Sequence, residues 1–438
     1  MSARAISQRR GACPGLSAPM PTGDGLLVRL MPIGTVALDA LARLCAAART
    51  HGNGVIEITS RGSIQIRGLS AASAPRLAAD IAALGIAAAE DGIPVLTNPL
   101  AGIDAEEIFD AAALAAKLRR ALADAALATR LAPKVSVAID GGGTLDFAEE
   151  LAVDVRLCAE ASNDAMSLRV SVGGDGTSAV QLGAVMPAQG VAAAMRLLQV
   201  LARHGRDARA RDVLAAEGVA PFHSALRELI APAVRESDEP DFHLPVNERR
   251  VDAIGTHRLR DGSLAAGIGL AFGHTDATAL EKLIDAAADA GASGMRTAPG
   301  RTLLTIGLTD ETAPSFIAAA EQLGFIVRAD DPRRRVIACA GAPVCVSAHI
   351  AARALAPRIA ESAAPFVSDR LVIHISGCAK GCAHPGPAAL TVVGTAAGCA
   401  LITNGSPGDR ADTLVQTREL PDVIARSARA LAAEPGHV

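Results

Sequence analysis

The sequence predicts an α+β fold made of two similar halves, with domains in the order A, B, A′, B′ about a pseudo-twofold axis. Three observations carry this expectation. Short strand-like runs alternate with amphipathic helical stretches bounded by glycine and proline. A block near the N-terminus recurs, with Gly294 and Arg301 standing 240 positions after Gly54 and Arg61. A second block recurs at 236 positions: the segments from Lys134 to Gly142 and from Arg370 to Cys378 place apolar residues on the same alternate positions and end in a glycine turn. A chain of 438 residues suits about two to four domains, and two halves of one fold create a cleft suited to a large ligand.

In the first block residues 26–30 read as a strand, and Pro32 and Gly34 mark a loop. Leu38, Leu41, Cys45 and Ala48 then recur at helical spacing until His51, Gly52, Asn53 and Gly54 supply turn residues. Strands at 55–58 and 63–66 follow. The same order returns with a strand at 264–270, a loop ending in Gly273, a helix carrying Leu280, Leu283, Ile284 and Ala287, and a strand at 303–308. The acidic, proline-containing stretch 236–245 reads as the linker between halves. Gly267, Gly269 and Gly273 imitate a dinucleotide fingerprint, but the equivalent loop of the first block lacks those glycines, so neither a flavin nor a nicotinamide site is expected.

Composition narrows the function. A net charge of -4 offers no general attraction for nucleic acid or an anionic membrane, and eight Phe with no Trp or Tyr leave few rings for stacking on bases. The long uncharged stretch 385–408 is cut by Pro387, Gly394, Gly398 and Gly405 into two apolar runs, 388–393 and 399–403, which read as strand, turn, strand rather than a membrane span. Residues 1–11 carry no signal-like apolar run, so a cytoplasmic protein is expected. In that reducing compartment the eight cysteines are not expected to form disulfides, and half of them fall between Cys339 and Cys382.

Cys339, Cys345, Cys378 and Cys382 stand beside Gly341, Gly377 and Gly381, with strands at 335–338 and 371–376 delivering one cysteine each at their ends. Four thiolates suit an iron-sulfur cluster, and glycines let backbone N–H groups approach the sulfurs. A structural zinc site is the competing reading, although zinc favours shorter Cys-x2-4-Cys spacing, and unrelated core cysteines are the third. Cys45, Cys158 and Cys399 read as core, and Cys13 has no assigned role. Upstream, a period of two places Arg61, Ser63, Gln65 and Arg67 on one face of a strand and turns Ile64 and Ile66 inward. Such a cationic wall suits a polycarboxylate, since guanidinium forks bind carboxylates in two-toothed fashion. The alternative for each arginine is an ordinary surface charge.

The Cys-x5-Cys and Ser-Gly-Cys-x3-Cys motifs, with Thr59, Ser60, Arg61 and Gln65, resemble those of the sirohaem-dependent sulfite and nitrite reductase superfamily. Segments 10–15, 20–29, 338–343 and 376–385 are similar to one branch of it, the enzymes that form precorrin-3B in aerobic cobalamin biosynthesis. The resemblance covers nearly the whole chain. It implies duplicated ferredoxin-like α/β sandwich domains alternating with sulfite-reductase-type α/β domains: a ferredoxin-like half-domain at 1–92, a cluster-less reductase-type domain at 93–240, a second half-domain at 241–315 and a 4Fe-4S domain at 316–438. It also implies an NADH-linked monooxygenase that oxidises precorrin-3A with oxygen, takes electrons from an external NADH-dependent donor, and uses the four cysteines as cluster ligands. Arg29 and Lys134 join Arg61, Gln65 and Arg67 as expected holders of tetrapyrrole carboxylates. The resemblance leaves room for a separate non-haem iron, whose ligands the sequence does not identify, and it assigns no catalytic residue. The basic segment of the reductases is matched here by residues 96–99 and by Pro133 and Lys134 alone, so resident sirohaem is not expected. A sirohaem-dependent nitrite or sulfite reductase and an iron-sulfur carrier or sensor are the alternative readings. Lys380 and His384 lie in the cysteine loop without an assigned role.

Overall fold

A computed structural model describes residues 14–88, 92–125, 127–145, 151–162, 165–230, 251–366, 371–384 and 386–433. Cys13 and the linker stretch 236–245 lie outside the described residues. The first half-domain runs β1 (Met20–Thr22), β2 (Gly25–Leu30), α1 (Leu38–His51), β3 (Val55–Ile58), β4 (Ile64–Leu69) and α2 (Ala74–Ala82). Helix α1 forms where the sequence places its apolar stripe, burying Leu41, Leu44, Cys45 and Ala48 against the sheet. The strand expected at 63–66 begins one residue later and runs on to Leu69. Ser63 instead closes the turn, since its carbonyl accepts from Thr59 N–H and its own N–H donates to Thr59 Oγ1.

The next part of the chain contains β5 (Val95–Thr97), α3 (Ala111–Asp124), β6 (Val137–Asp140), β7 (Val155–Ser162), β8 (Ala165–Val172), β9 (Val180–Val185), α4 (Gly190–His204), α5 (Ala210–Glu217) and α6 (Ala220–Leu226). The second half-domain repeats the first with β10 (Gly255–Arg258), β11 (Leu264–Gly269), β12 (His274–Asp276), α7 (Ala277–Asp289), β13 (Gly294–Ala298), β14 (Thr302–Leu308) and α8 (Ala313–Gln322). The last domain holds β15 (Val336–Ala338), α9 (Ala352–Ala363), β16 (Ile373–Ser376), β17 (Ala388–Thr395), β18 (Gly398–Gly405), β19 (Thr413–Val415) and α10 (Leu420–Ala433). Strands β17 and β18 pair as an antiparallel hairpin, the strand-turn-strand expected there. No described helix is long and apolar enough to cross a membrane.

The duplication is explicit in the sheets. The two half-domain sheets run β1-β2-β4-β3 and β10-β11-β14-β13, while the other two run β5-β6-β7-β8-β9 and β15-β16-β17-β18-β19. In each of the latter the first three strands are parallel and the rest antiparallel. The half-domains are not separate bodies. Strand β12 crosses over to pair with β3, α1 packs on α7, and one core joins Leu44, Ile56 and Ile66 to Leu283, Leu303 and Phe316. The boundary expected at 315 therefore needs correcting, because it cuts α8, whose Phe316 and Ala320 belong to that shared core. Ile326 still exchanges two backbone hydrogen bonds with Gly269, so the half-domain continues at least that far.

Candidate active site

The four domains enclose one large cavity of about 1470 Å³, beyond the roughly 300–1,000 Å³ of ordinary small-molecule sites. The four cysteines of the motif all line it, as do Arg29, Arg61, Gln65, Arg67 and Lys134. Strands β15 and β16 are parallel neighbours, Ala338 pairing with Ile375, so the chain leaves both at the same sheet edge and carries Cys339 and Cys378 there together. Gly377 N–H donates to Cys339 Sγ at 3.0 Å. Cys345 is held by its N–H to Gly341 O at 2.8 Å, and the next residue, Val346, donates to Gly23 O at 3.1 Å. Gly23 has to be glycine here, because a Cβ would lie 2.3 Å from Cys345 Sγ.

Burial pushes the Cys339 thiol up, against the pull of N–H groups on Gly377 and Gly341, and the nearby Cys382 and Cys378 push it further. Burial likewise raises Cys382, with Cys378 and Cys345 adding to the effect. Thiols that crowd and raise one another in this way favour a bound cation, whose charge stabilises all the thiolates at once. Glycine-lined approach, an N–H aimed at sulfur and thiols gathered at one end of the cavity all fit a cysteine-held metal group. Among the described residues no three His, Cys, Asp or Glu side chains, the four cysteines included, converge closely enough to hold one metal ion. Cys45, Cys158 and Cys399 are buried away from this corner, as expected of core residues.

An adjoining wall follows the period of two: Ile64 and Ile66 are buried in the core while Ser63, Gln65 and Arg67 line the cavity. With its amide turned to suit its neighbours, Gln65 accepts from Arg29 at 2.7 Å and donates to Glu57 at 3.1 Å. Arg67 differs from its expected role. Its fork is already occupied by Asp24, with two bonds of 2.8 Å, and Glu57 stands 3.5 Å away. Burial opposes ionisation of Asp24, yet the Arg67 hydrogen bonds hold its carboxyl below the usual range. Arg61 is exposed at the cavity edge and donates to Ala152 O at 3.2 Å, and Lys134 is exposed as well.

Further cations line the cavity: Arg301 and Lys380, both singled out in the sequence, and Arg206, Arg209 and Arg353, which it did not mark. Arg209 is clamped to Asp154 and Arg353 pairs with Glu57. Lys380 donates to Ser347 Oγ at 3.1 Å. The 240-position repeat pointed to Arg301 and the cysteine loop to Lys380, but no local pattern marked the other three. Close by, His374 is buried with neither ring nitrogen hydrogen-bonded, and burial, His384 and Arg301 together lower its pKa to about 4. The His374 and His384 rings meet edge to face at 5.6 Å.

A duplicated α+β scaffold whose large cavity joins a cysteine corner to a cationic wall has the architecture of the nitrite/sulfite reductase fold. Residues 18–84 match the family described as the nitrite/sulfite reductase ferredoxin-like half domain. The structure of the Mycobacterium tuberculosis NirA protein shares the fold, with a TM-score of 0.72 at 22% identity, covering 94% of this chain and 81% of that one. The chain is 38% identical to a precorrin-3B synthase from Sinorhizobium sp, over 97% of its own length and 89% of that protein. It is 25% identical to a ferredoxin–nitrite reductase from Synechococcus elongatus, over 93% of its length and 86% of that relative. The chain belongs to the precorrin-3B synthase family, with the nitrite and sulfite reductases as distant relatives.

Proposed function

We propose that this protein oxidises precorrin-3A to precorrin-3B with oxygen, by hydroxylation and lactone formation, as a cytoplasmic step of cobalamin biosynthesis fed by an external NADH-dependent electron donor. The observation that carries the reading is one cavity, large enough for a macrocycle, that brings the cysteine corner and the cationic wall together in a chain 38% identical to a precorrin-3B synthase. Cys339, Cys345, Cys378 and Cys382 would hold a 4Fe-4S cluster, with Gly377 N–H stabilising charge on the Cys339 sulfur. When bound, the cluster supplies one-electron transfer at one wall of the cavity.

The chain's own residues bind and orient the substrate. Arg29, Arg61 and Lys134 offer donors to its carboxylates, and Gln65 fixes the Arg29 guanidinium. Arg67 acts by position: its bonds to Asp24 secure the side of the wall where Glu57 receives Gln65. The bulk of the macrocycle would displace water from the cavity. Sirohaem is not proposed as a resident group, because the basic pattern that the resemblance leads one to expect is reduced here to Pro133 and Lys134, with one basic residue.

Anaerobic purification followed by iron, sulfide and visible-absorption analysis tests the proposal. The expected result is about four iron and four labile sulfides per chain, a broad absorbance without sirohaem bands, and precorrin-3A consumption that needs both oxygen and reductant. Stoichiometric zinc without sulfide, or full sirohaem occupancy with nitrite reduction, would overturn it.

A further inference from the structure

The β13–β14 turn meets its first-half counterpart at the pseudo-twofold axis, where Gly300 N–H donates to Ser60 O at 3.0 Å. Immediately after it Arg301 adopts φ +64°, a left-handed conformation that non-glycine residues hold only where the surroundings impose it. Its side chain lies along Gly273, where a Cβ would come within 2.6 Å of Arg301 Cδ. The guanidinium is placed at the cavity wall beside Phe272, on the side of β16 and His374.

Its neighbours do not satisfy it. Arg67, Arg209 and Arg353 line the same cavity and each has a carboxylate partner, respectively Asp24, Asp154 and Glu57. Arg301 has no side-chain hydrogen bond or ion pair among the described residues, and burial lowers its pKa with no anion to offset the effect. A half-buried guanidinium on the cavity wall with no anion beside it is open to an anion that enters the cavity.

We infer that Arg301 is a substrate-binding residue contributed by the second half, which grips one carboxylate arm of the tetrapyrrole with both teeth of its fork. The inference rests on the tetrapyrrole reading of the cavity and adds to it a specific anchor. A planar fork matches the two oxygens of a carboxylate, and neutral His374 at its back does not compete as an anion. The left-handed backbone fixes the direction in which the fork enters the cavity.

Uroporphyrin III, which carries eight carboxylates, is a suitable probe in fluorescence titration of the cluster-loaded protein. Arg301→Asn tolerates the left-handed turn while removing the charge. It should weaken porphyrin binding about ten- to a hundred-fold with iron content unchanged. The ligand-free melting temperature should not fall, while the rise caused by porphyrin should shrink. Arg301→Lys should recover only part of the affinity, because an ammonium lacks the fork. If the parent binds porphyrin and either variant binds it equally well, the Arg301 assignment fails while the tetrapyrrole reading stands. Failure of the parent itself to bind would remove both. A binding loss accompanied by lost iron and a lower ligand-free melting temperature would make Arg301 structural and overturn the inference.

Discussion

The sheets β5-β6-β7-β8-β9 and β15-β16-β17-β18-β19 share one strand order, yet the loops leaving their first two strands are held together by opposite means. In the first, buried polar groups satisfy one another. Asp104 accepts from Thr144 N–H, Thr144 Oγ1 and Glu106 N–H, and Glu107 accepts from Gly102 and Ala111 N–H. Asn98 bridges Leu145 O and Leu100 N–H, while Arg296 caps the carbonyls of Pro99 and Ala101 at 3.0 Å. In the second sheet the equivalent loops turn Cys339, Cys345, Cys378 and Cys382 toward the cavity, where burial and mutual repulsion raise the Cys339 and Cys382 thiols. One edge is satisfied by the protein's own groups, Arg296 of the second half-domain among them, and the other calls for a ligand. Duplication thus supplied two equivalent edges, and side-chain chemistry closed one and opened the other.

The largest expected effect breaks the open edge alone. Cys378→Ser should remove essentially all iron and sulfide, whereas Asn98→Ala on the closed edge should leave the iron content unchanged; metal analysis of both proteins checks this. Loss of iron in Asn98→Ala would mean that the two edges are coupled.

On the closed edge, Asp104→Ala strands the Thr144 and Glu106 N–H groups and should cost about 2–3 kcal/mol of stability, read by urea titration. The loss should be the same with or without metal, since the closed edge holds itself. Gly23→Ala on the open edge drives a methyl into Cys345 Sγ. Overpacking of this kind costs about 1–2 kcal/mol, and it should show as faster iron release to a chelator rather than as failure to fold.

The smallest effect is in pH. Burial raises the Glu107 pKa above 4.5, more than its N–H partners lower it. Its folded pKa thus exceeds the unfolded one, so the protonated form favours folding and this contribution fades as pH climbs from about 4.5 through the folded value. Glu107→Gln should flatten that part of the stability profile. Asp24 has the opposite sign: its carboxyl is held low, so its contribution is present above 3.8 and disappears as pH falls through its folded value. Urea titrations across acidic pH, with Arg67→Met removing the Asp24 partner, separate the two.

Chain periodicity and spacing determined a good deal unaided. The 240-position repeat foretold the paired half-domains because both blocks bury the same alternating residues, and strand 55–58 appears with those bounds. The cysteine corner was legible because adjacent parallel strands deliver their ends to one edge, which makes Cys339 and Cys378 neighbours despite 38 intervening residues. The inward Ile64 and Ile66 and outward Gln65 and Arg67 follow from the pleat.

Tertiary packing decided which charges remain available. Asp24 lies 43 positions from Arg67 and neutralises it, and Arg353 reaches Glu57 across 296 positions, pairings no local pattern encodes. The shared core of the half-domains likewise takes in Phe316 and Ala320 of α8, which carries the second half-domain past residue 315. Arg301 shows the same division. The repeat marked its position, but its left-handed backbone and lack of a partner arise only where two turns meet at the axis. Periodicity fixes which way a side chain points from its own strand, whereas its partners come from distant chain that only the assembled fold brings near.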